Sequence, residues 1–176
     1  MRKLKNTELN RKSIEEFKKA DKTPAIVVLD NIRSIHNVGS IFRSSDSFLI
    51  KKLYICGITA TPENQRMAKT ALGSTDSVDW EYIEKPKELI EKLERDNIIM
   101  VSVEQADKSI KIQDFNPLST SEYAFIFGNE VDGVREEFIK ASKHVIEIPQ
   151  VGTKHSLNVS VAAGIILWDF FSKKEI

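Results

Sequence analysis

Along the chain, short apolar runs alternate with stretches of helical spacing. Ala25-Ile26-Val27-Val28-Leu29 is β-branched and nearly continuous, the pattern of a strand covered on both faces. Val38-Gly39-Ser40-Ile41-Phe42, with Phe48, predicts a helix running to about residue 48. Leu53-Tyr54-Ile55-Cys56 predicts a second strand, ended by Gly57. Pro62 and Asn64 mark a turn ahead of a short helix around 63–71, and Gly73 follows. Val78 to Ile83 reads as a weak strand. Pro86 suits the first position of a helix, and Leu89, Ile90 and Leu93 extend it over 86–96. Ile98 to Val103 and Tyr123 to Phe127 are strands, Arg135 to Ser142 is helical, and Val145 to Ile148 is a strand closed by Pro149. Asn158 to about Lys173 is the last helix. Strands separated by helices mean an α/β fold with a mostly parallel sheet flanked by helices.

The last helix carries Val159, Val161, Ala162, Ala163, Ile165, Ile166, Leu167, Trp168, Phe170 and Phe171 on most of its circumference. A helix so apolar is covered on more than one side. A second subunit is the favoured cover, so a homodimer is expected; central packing in a monomer is the alternative. Its mostly apolar part, Val159 to Trp168, falls short of the roughly 18 residues a membrane span needs.

Composition then narrows the class. The 176 residues are 41% hydrophobic, too apolar for disorder, and length favours one domain. A single cysteine, Cys56, excludes an internal disulfide framework and a multi-cysteine zinc site. Met1-Arg2-Lys3-Leu4-Lys5 leads into polar residues rather than an apolar leader core. A soluble, cytoplasmic protein with no membrane segment is expected. The zero net charge hides an asymmetry: residues 1–22 hold Arg2, Lys3, Lys5, Arg11, Lys12, Lys18, Lys19 and Lys22 against Glu8, Glu15, Glu16 and Asp21. This basic N-terminal extension either meets a polyanion or forms a solvated helical arm. A domain over 23–176 follows it.

Ligands of open α/β sheets collect beyond the carboxyl ends of the strands, and three polar stretches fall there. Asp30 to Arg43 offers Asn37 as a helix cap, Gly39 for close approach, and Arg43 on the helix that follows. Free amides and a guanidinium bind phosphate; a capped helix with a salt-bridged arginine explains the same residues. Gly128-Asn129-Glu130-Val131-Asp132-Gly133 breaks an apolar run with exposed donors and a carboxylate, or makes an ordinary tight turn. Ile148 to Ala162 is a glycine-containing loop opening onto a helix capped by Ser156 or Asn158. No dinucleotide or P-loop glycine pattern is present. His36, His144 and His155 lack metal-ligand spacing, and no metal is expected. Cys56 sits inside a strand, where a buried, inert thiol is expected.

In this order, the three stretches resemble the motifs of the SpoU (TrmH-like) branch of the SPOUT RNA methyltransferases. The matching residues are Asn37-x-Gly39-x-x-x-Arg43, then Phe127-Gly128-Asn129-Glu130-x-x-Gly133. The third motif is Ile148-Pro149-x-x-Gly152-x-x-x-Ser156-Leu157-Asn158-Val159-Ser160. Lys69-Thr70-Ala71-Leu72-Gly73 also fits that branch, and Gln150 departs from its usual methionine. The resemblance implies S-adenosyl-L-methionine-dependent 2′-O-methylation of ribose in RNA. It further implies a C-terminal trefoil knot and a dimer with active sites near the subunit interface. By the same resemblance the cofactor lies against Val103, Glu104, Gly128, Asn129, Ile148 and Leu157. Asn37, Arg43, Glu130, Ser156 and Asn158 form the catalytic and RNA-phosphate site. Arg43 is expected to bind phosphate and stabilise charge on the 2′-oxygen rather than deprotonate it. Glu130 is expected to organise loops or pair with Arg43 rather than act as a base. The short basic arm favours tRNA over rRNA; a non-catalytic RNA-binding protein of the same fold is the alternative.

Overall fold

The computed structural model describes residues 1–175; Ile176, the last residue of the expected domain, lies outside them. A seven-stranded sheet forms the centre, with strand order β3-β2-β1-β6-β4-β7-β5. The strands are β1 (Thr23–Asp30), β2 (Ile50–Cys56), β3 (Trp80–Ile83), β4 (Ile99–Val103), β5 (Ile110–Lys111), β6 (Tyr123–Phe127) and β7 (His144–Glu147). Every pairing between neighbours is parallel. The helices are α1 (Ile14–Lys19), α2 (Ile35–Ser47), α3 (Ala68–Ala71), α4 (Ser74–Ser77), α5 (Pro86–Arg95), α6 (Glu136–Ala141) and α7 (Val159–Glu175).

The period-2 alternation of a strand divides the apolar residues between two cores. Ala25, Val27 and Leu29 of β1, with Phe125 and Phe127 of β6, face α2 and α7, where they meet Ile41, Phe42, Ile166 and Phe170. Ile26 and Val28, with Ala124 and Ile126, face α5 and α6, where Leu89, Leu93 and Phe138 cover them. Both faces are closed, which is why β1 and β6 read as unbroken apolar runs. No helix among the described residues is long and apolar enough to cross a membrane.

Boundaries shift where tertiary contacts take over. α2 starts at Ile35 with Ser34, not Asn37, as its cap: the Asn37 amide donates to Ser34 Oγ at 3.3 Å. Asn37 is thereby one turn inside the helix, with its side chain free for other partners. At α7 the cap is Asn158, whose Oδ1 accepts the Ser160 amide at 2.9 Å. Arg135 precedes α6 as its cap residue because its side chain is drawn to the sheet. The strands at Val78 and Ile98 start later, at Trp80 and Ile99, and β7 lies one residue earlier than its hydropathy predicts. β5, only two residues long, escapes a pattern search.

Within the basic arm, α1 has a capping box of Ser13 and Glu16 and buries Phe17. The helical part of the arm is therefore docked on the α2 side of the sheet.

Within the single chain α7 is covered on one side, so central packing in a monomer, the alternative expectation, is not what the fold provides. Ala163, Ile166, Leu167 and Phe170 are buried, but Val161, Ile165 and Trp168 are 50%, 37% and 55% exposed. Their i, i+4, i+7 spacing makes one uncovered apolar stripe.

Strand register also places the connection after β4. Val103 of β4 and Ile110 of β5 both align with Ile146 of β7, from opposite sides. Segment 104–109 therefore crosses β7 at its carboxyl end, next to the chain that leaves toward α7.

Candidate functional site at the carboxyl edge of the sheet

The segments after β4, β6 and β7 surround one cavity of about 370 Å³, within the size range of small-ligand pockets. Val103, Glu104, Gly128, Asn129, Ile148 and Leu157 all line it, as do Glu130, Ser156 and Asn158. Asn37 stands just behind the lining. Arg43 is exposed and outside it, about 9 Å further along the axis of α2 at the usual helical rise.

The Gly128–Gly133 turn is held by a set of specific bonds. Asn129 and Gly133 form an isolated antiparallel bridge. The Asn129 side chain accepts from the Val131 and Asp132 amides at 2.8 and 3.2 Å and donates to the Asn31 carbonyl at 2.8 Å. A Cβ on Gly128 would lie 2.1 Å from the Gly133 carbonyl carbon, so the two ends of the turn close only without one. Gly133 has φ +72° and would press a Cβ against Glu104 Oε2; that oxygen accepts the Val134 amide at 3.1 Å. At the far end, the Asp30 carboxylate, fully buried, accepts the Arg135 amide at 3.0 Å and its Nε at 2.7 Å.

This anchoring aims Glu130 at the start of α2. Its carboxylate accepts the Arg33 amide at 3.0 Å, the Ser34 amide at 3.2 Å and Asn37 Nδ2 at 3.0 Å. Partial burial pushes the Glu130 carboxyl upward, but these donors outweigh it and hold it below the ordinary range. A carboxylate so held is a poor proton acceptor at neutral pH and a good organiser of loops. It bonds the start of α2 rather than Arg43, so the pairing of Glu130 with Arg43 is not formed: the Arg33 and Ser34 amides and Asn37 occupy it. Asn158 Nδ2 in turn donates to Asn37 Oδ1 at 3.2 Å. Glu130, Asn37 and Asn158 thus join the three motif stretches into one hydrogen-bonded row. Ser156 borders the cavity without taking part in that row.

The sequence reading passed over Gln105, Asp30 and Arg135 as site residues. Asp30, ending an apolar strand, was the available signal, because a carboxylate there requires a partner once buried. Nothing local marks Gln105. Cys56 is buried beside Arg135; burial outweighs the guanidinium and pushes its thiol up to about 11, which leaves it unreactive.

A profile described as the SpoU rRNA Methylase family matches residues 24–168. The 23S rRNA (guanosine-2′-O-)-methyltransferase RlmB of Vibrio parahaemolyticus is 28% identical, over 92% of this chain and 64% of its own. The chain thus spans less than two thirds of that relative's length. The crystal structure of the A. aeolicus TrmH/SpoU tRNA modifying enzyme superposes with a TM-score of 0.81 at 27% identity, covering 92% of this chain and 81% of that one. The SpoU methyltransferase AviRb from Streptomyces viridochromogenes, solved in complex with AdoMet, shares the fold with a TM-score of 0.80 at 23% identity, over 90% of this chain and 63% of its own.

Proposed function

The chain belongs to the SpoU rRNA methylase family, and on that premise we propose that it is an S-adenosyl-L-methionine-dependent RNA 2′-O-ribose methyltransferase. The observation that carries the reading is the convergence of three separate motif stretches on one cavity, tied by the Glu130–Asn37–Asn158 row. Residues 23–176 form the methyltransferase domain and 1–22 its basic extension. Segment 104–109, crossing β7 beside the departing chain, supports the family's trefoil knot.

The cavity fits the cofactor by its donor set. Apolar walls from Val103, Phe127, Ile148 and Leu157 suit the adenosine. The carboxylates of Glu104, Glu130 and Glu147 suit a molecule bearing sulfonium and ammonium charges. When bound, S-adenosyl-L-methionine supplies an electrophilic methyl group. Glu130 stays ionised and fixes the α2 start, while Asn37 and Asn158 hold the loops in register. Ser156 contacts the incoming ribose at the cavity mouth. Arg43, exposed on α2, binds an RNA phosphate and stabilises negative charge on the 2′-oxygen; as a guanidinium it does not act as a base. Alignment of the acceptor oxygen supplies much of the acceleration.

The acceptor is structured RNA, tRNA ahead of rRNA, a preference supported by the likeness to the tRNA-modifying enzyme. A homodimer covers the Val161, Ile165 and Trp168 stripe, which a monomer leaves in water. Incubation with labelled S-adenosyl-L-methionine and separate tRNA and rRNA pools, followed by mapping of the labelled ribose, tests the reading. Label confined to bases, or RNA binding without any transfer, overturns it, and the latter outcome selects the non-catalytic alternative.

A further inference from the structure

The wall of the cavity formed by the segment after β7 is weakly held. Residues 149–158 are all exposed, and a Cβ built at Gly152 would meet nothing within 4 Å. Among the described residues, segment 148–157 is fastened by a single hydrogen bond, from Gln105 Nε2 to the His155 carbonyl at 2.8 Å. The carbonyl it grips belongs to the residue directly before Ser156 and Leu157, both of which line the cavity.

Gln105 itself stands on a firm base. Its amide donates to Glu104 Oε1 at 2.9 Å, while the other Glu104 oxygen takes the Val134 amide. The Glu104 amide is bonded to the Ile146 carbonyl at 3.0 Å. A fixed donor thus faces a loosely attached strap, the arrangement of a clasp.

Resting on the cofactor site proposed above, we propose that Gln105 is a positioning residue that clasps segment 148–157 over the cavity and sets Ser156 and Leu157 against the cofactor. With the clasp open the strap swings into solvent, and the cavity loses that wall. Because one neutral hydrogen bond decides the balance, its removal shifts the ratio of open to closed strap by about 2- to 10-fold.

Q105E tests this, since the carboxylate keeps the shape but offers no donor to the His155 carbonyl. Trypsin cutting after exposed Lys154 reads the open population in the full-length, cofactor-free protein, with the 1–154 fragment followed by mass spectrometry. Cleavage is expected to rise about 2- to 10-fold in Q105E and in Q105A, with the thermal midpoint unchanged. The KM for S-adenosyl-L-methionine is expected to rise in inverse proportion to the closed fraction, while kcat at saturating cofactor stays near wild type because bound cofactor itself holds the strap. Wild-type cleavage rates in both variants overturn the proposal. Failure of the wild-type protein to bind S-adenosyl-L-methionine overturns the proposed function instead, and the cofactor-free cleavage comparison still decides the clasp.

Discussion

Replacing Glu130 with glutamine separates an organising carboxylate from a catalytic base. Oε1 accepts from the Ser34 amide and Asn37 Nδ2, and Oε2 from the Arg33 amide. A glutamine amide reproduces at most one oxygen, so its NH2 group faces a donor and the remaining bonds lose their charge. Bonds to a charged group are each worth about 1.5–3 kcal/mol. Exposure of Glu130 to water reduces the combined loss to about 1–2 kcal/mol. For a chain of this size that lowers the thermal midpoint by about 2–8 °C at neutral pH. The pH dependence has a definite sign. A carboxyl held below its ordinary 4.5 contributes stability above that pH and loses it as pH falls through the lowered value. The gap between wild type and Glu130→Gln therefore closes in acid. Calorimetry from pH 7 down to pH 3 reads the gap, and titration with S-adenosyl-L-methionine reads the accompanying loss of affinity. Identical melting curves at every pH, with turnover abolished, would refute the organising role and restore Glu130 as a base.

Three further outcomes are expected. Asp30→Asn leaves the partly exposed Arg135 without its charged partner; losing hydrogen bonds to a charged group costs about 1.5–3 kcal/mol, read as a lower urea midpoint with an unchanged slope. Arg43→Ala abolishes methyl transfer while S-adenosyl-L-methionine binding stays at the wild-type level by calorimetry, and Arg43→Lys restores little because the planar fork is lost. Trp168→Glu places a charge on the exposed α7 stripe and converts a dimer to a monomer in sedimentation; a wild-type protein already monomeric at micromolar concentration removes the stripe as an interface.

The readable part of the fold was the part governed by local rules. Tyr123–Phe127 matches its predicted span because a central strand with both faces covered must be apolar throughout. Pro86 opens α5 as expected, since a missing N–H costs nothing in the first turn. The three motif stretches were legible through their resemblance to a known family, and all fall at the carboxyl edge of the sheet. The start of α2 was misplaced for a physical reason: serine and asparagine cap about equally well, so nothing local chooses Ser34 over Asn37. The choice rests with Glu130, which takes the Asn37 side chain for itself. What lies against the α7 stripe was not legible, because periodicity reports how apolar a helix is and not whether the chain itself or a second subunit covers it.

The amino-acid order by itself determined the alternation of strands and helices, the parallel sheet, and the identity of the polar residues at the strand ends. Those follow from side-chain periodicity, capping chemistry and hydropathy, each acting over a few residues. Tertiary structure alone decided which polar groups meet. The Asn37–Glu130 and Asn158–Asn37 bonds join residues 93 and 121 positions apart, and Gln105 reaches 50 positions to His155. Partners at such separations are selected by where the sheet delivers its loops, a geometry that no short window of sequence contains.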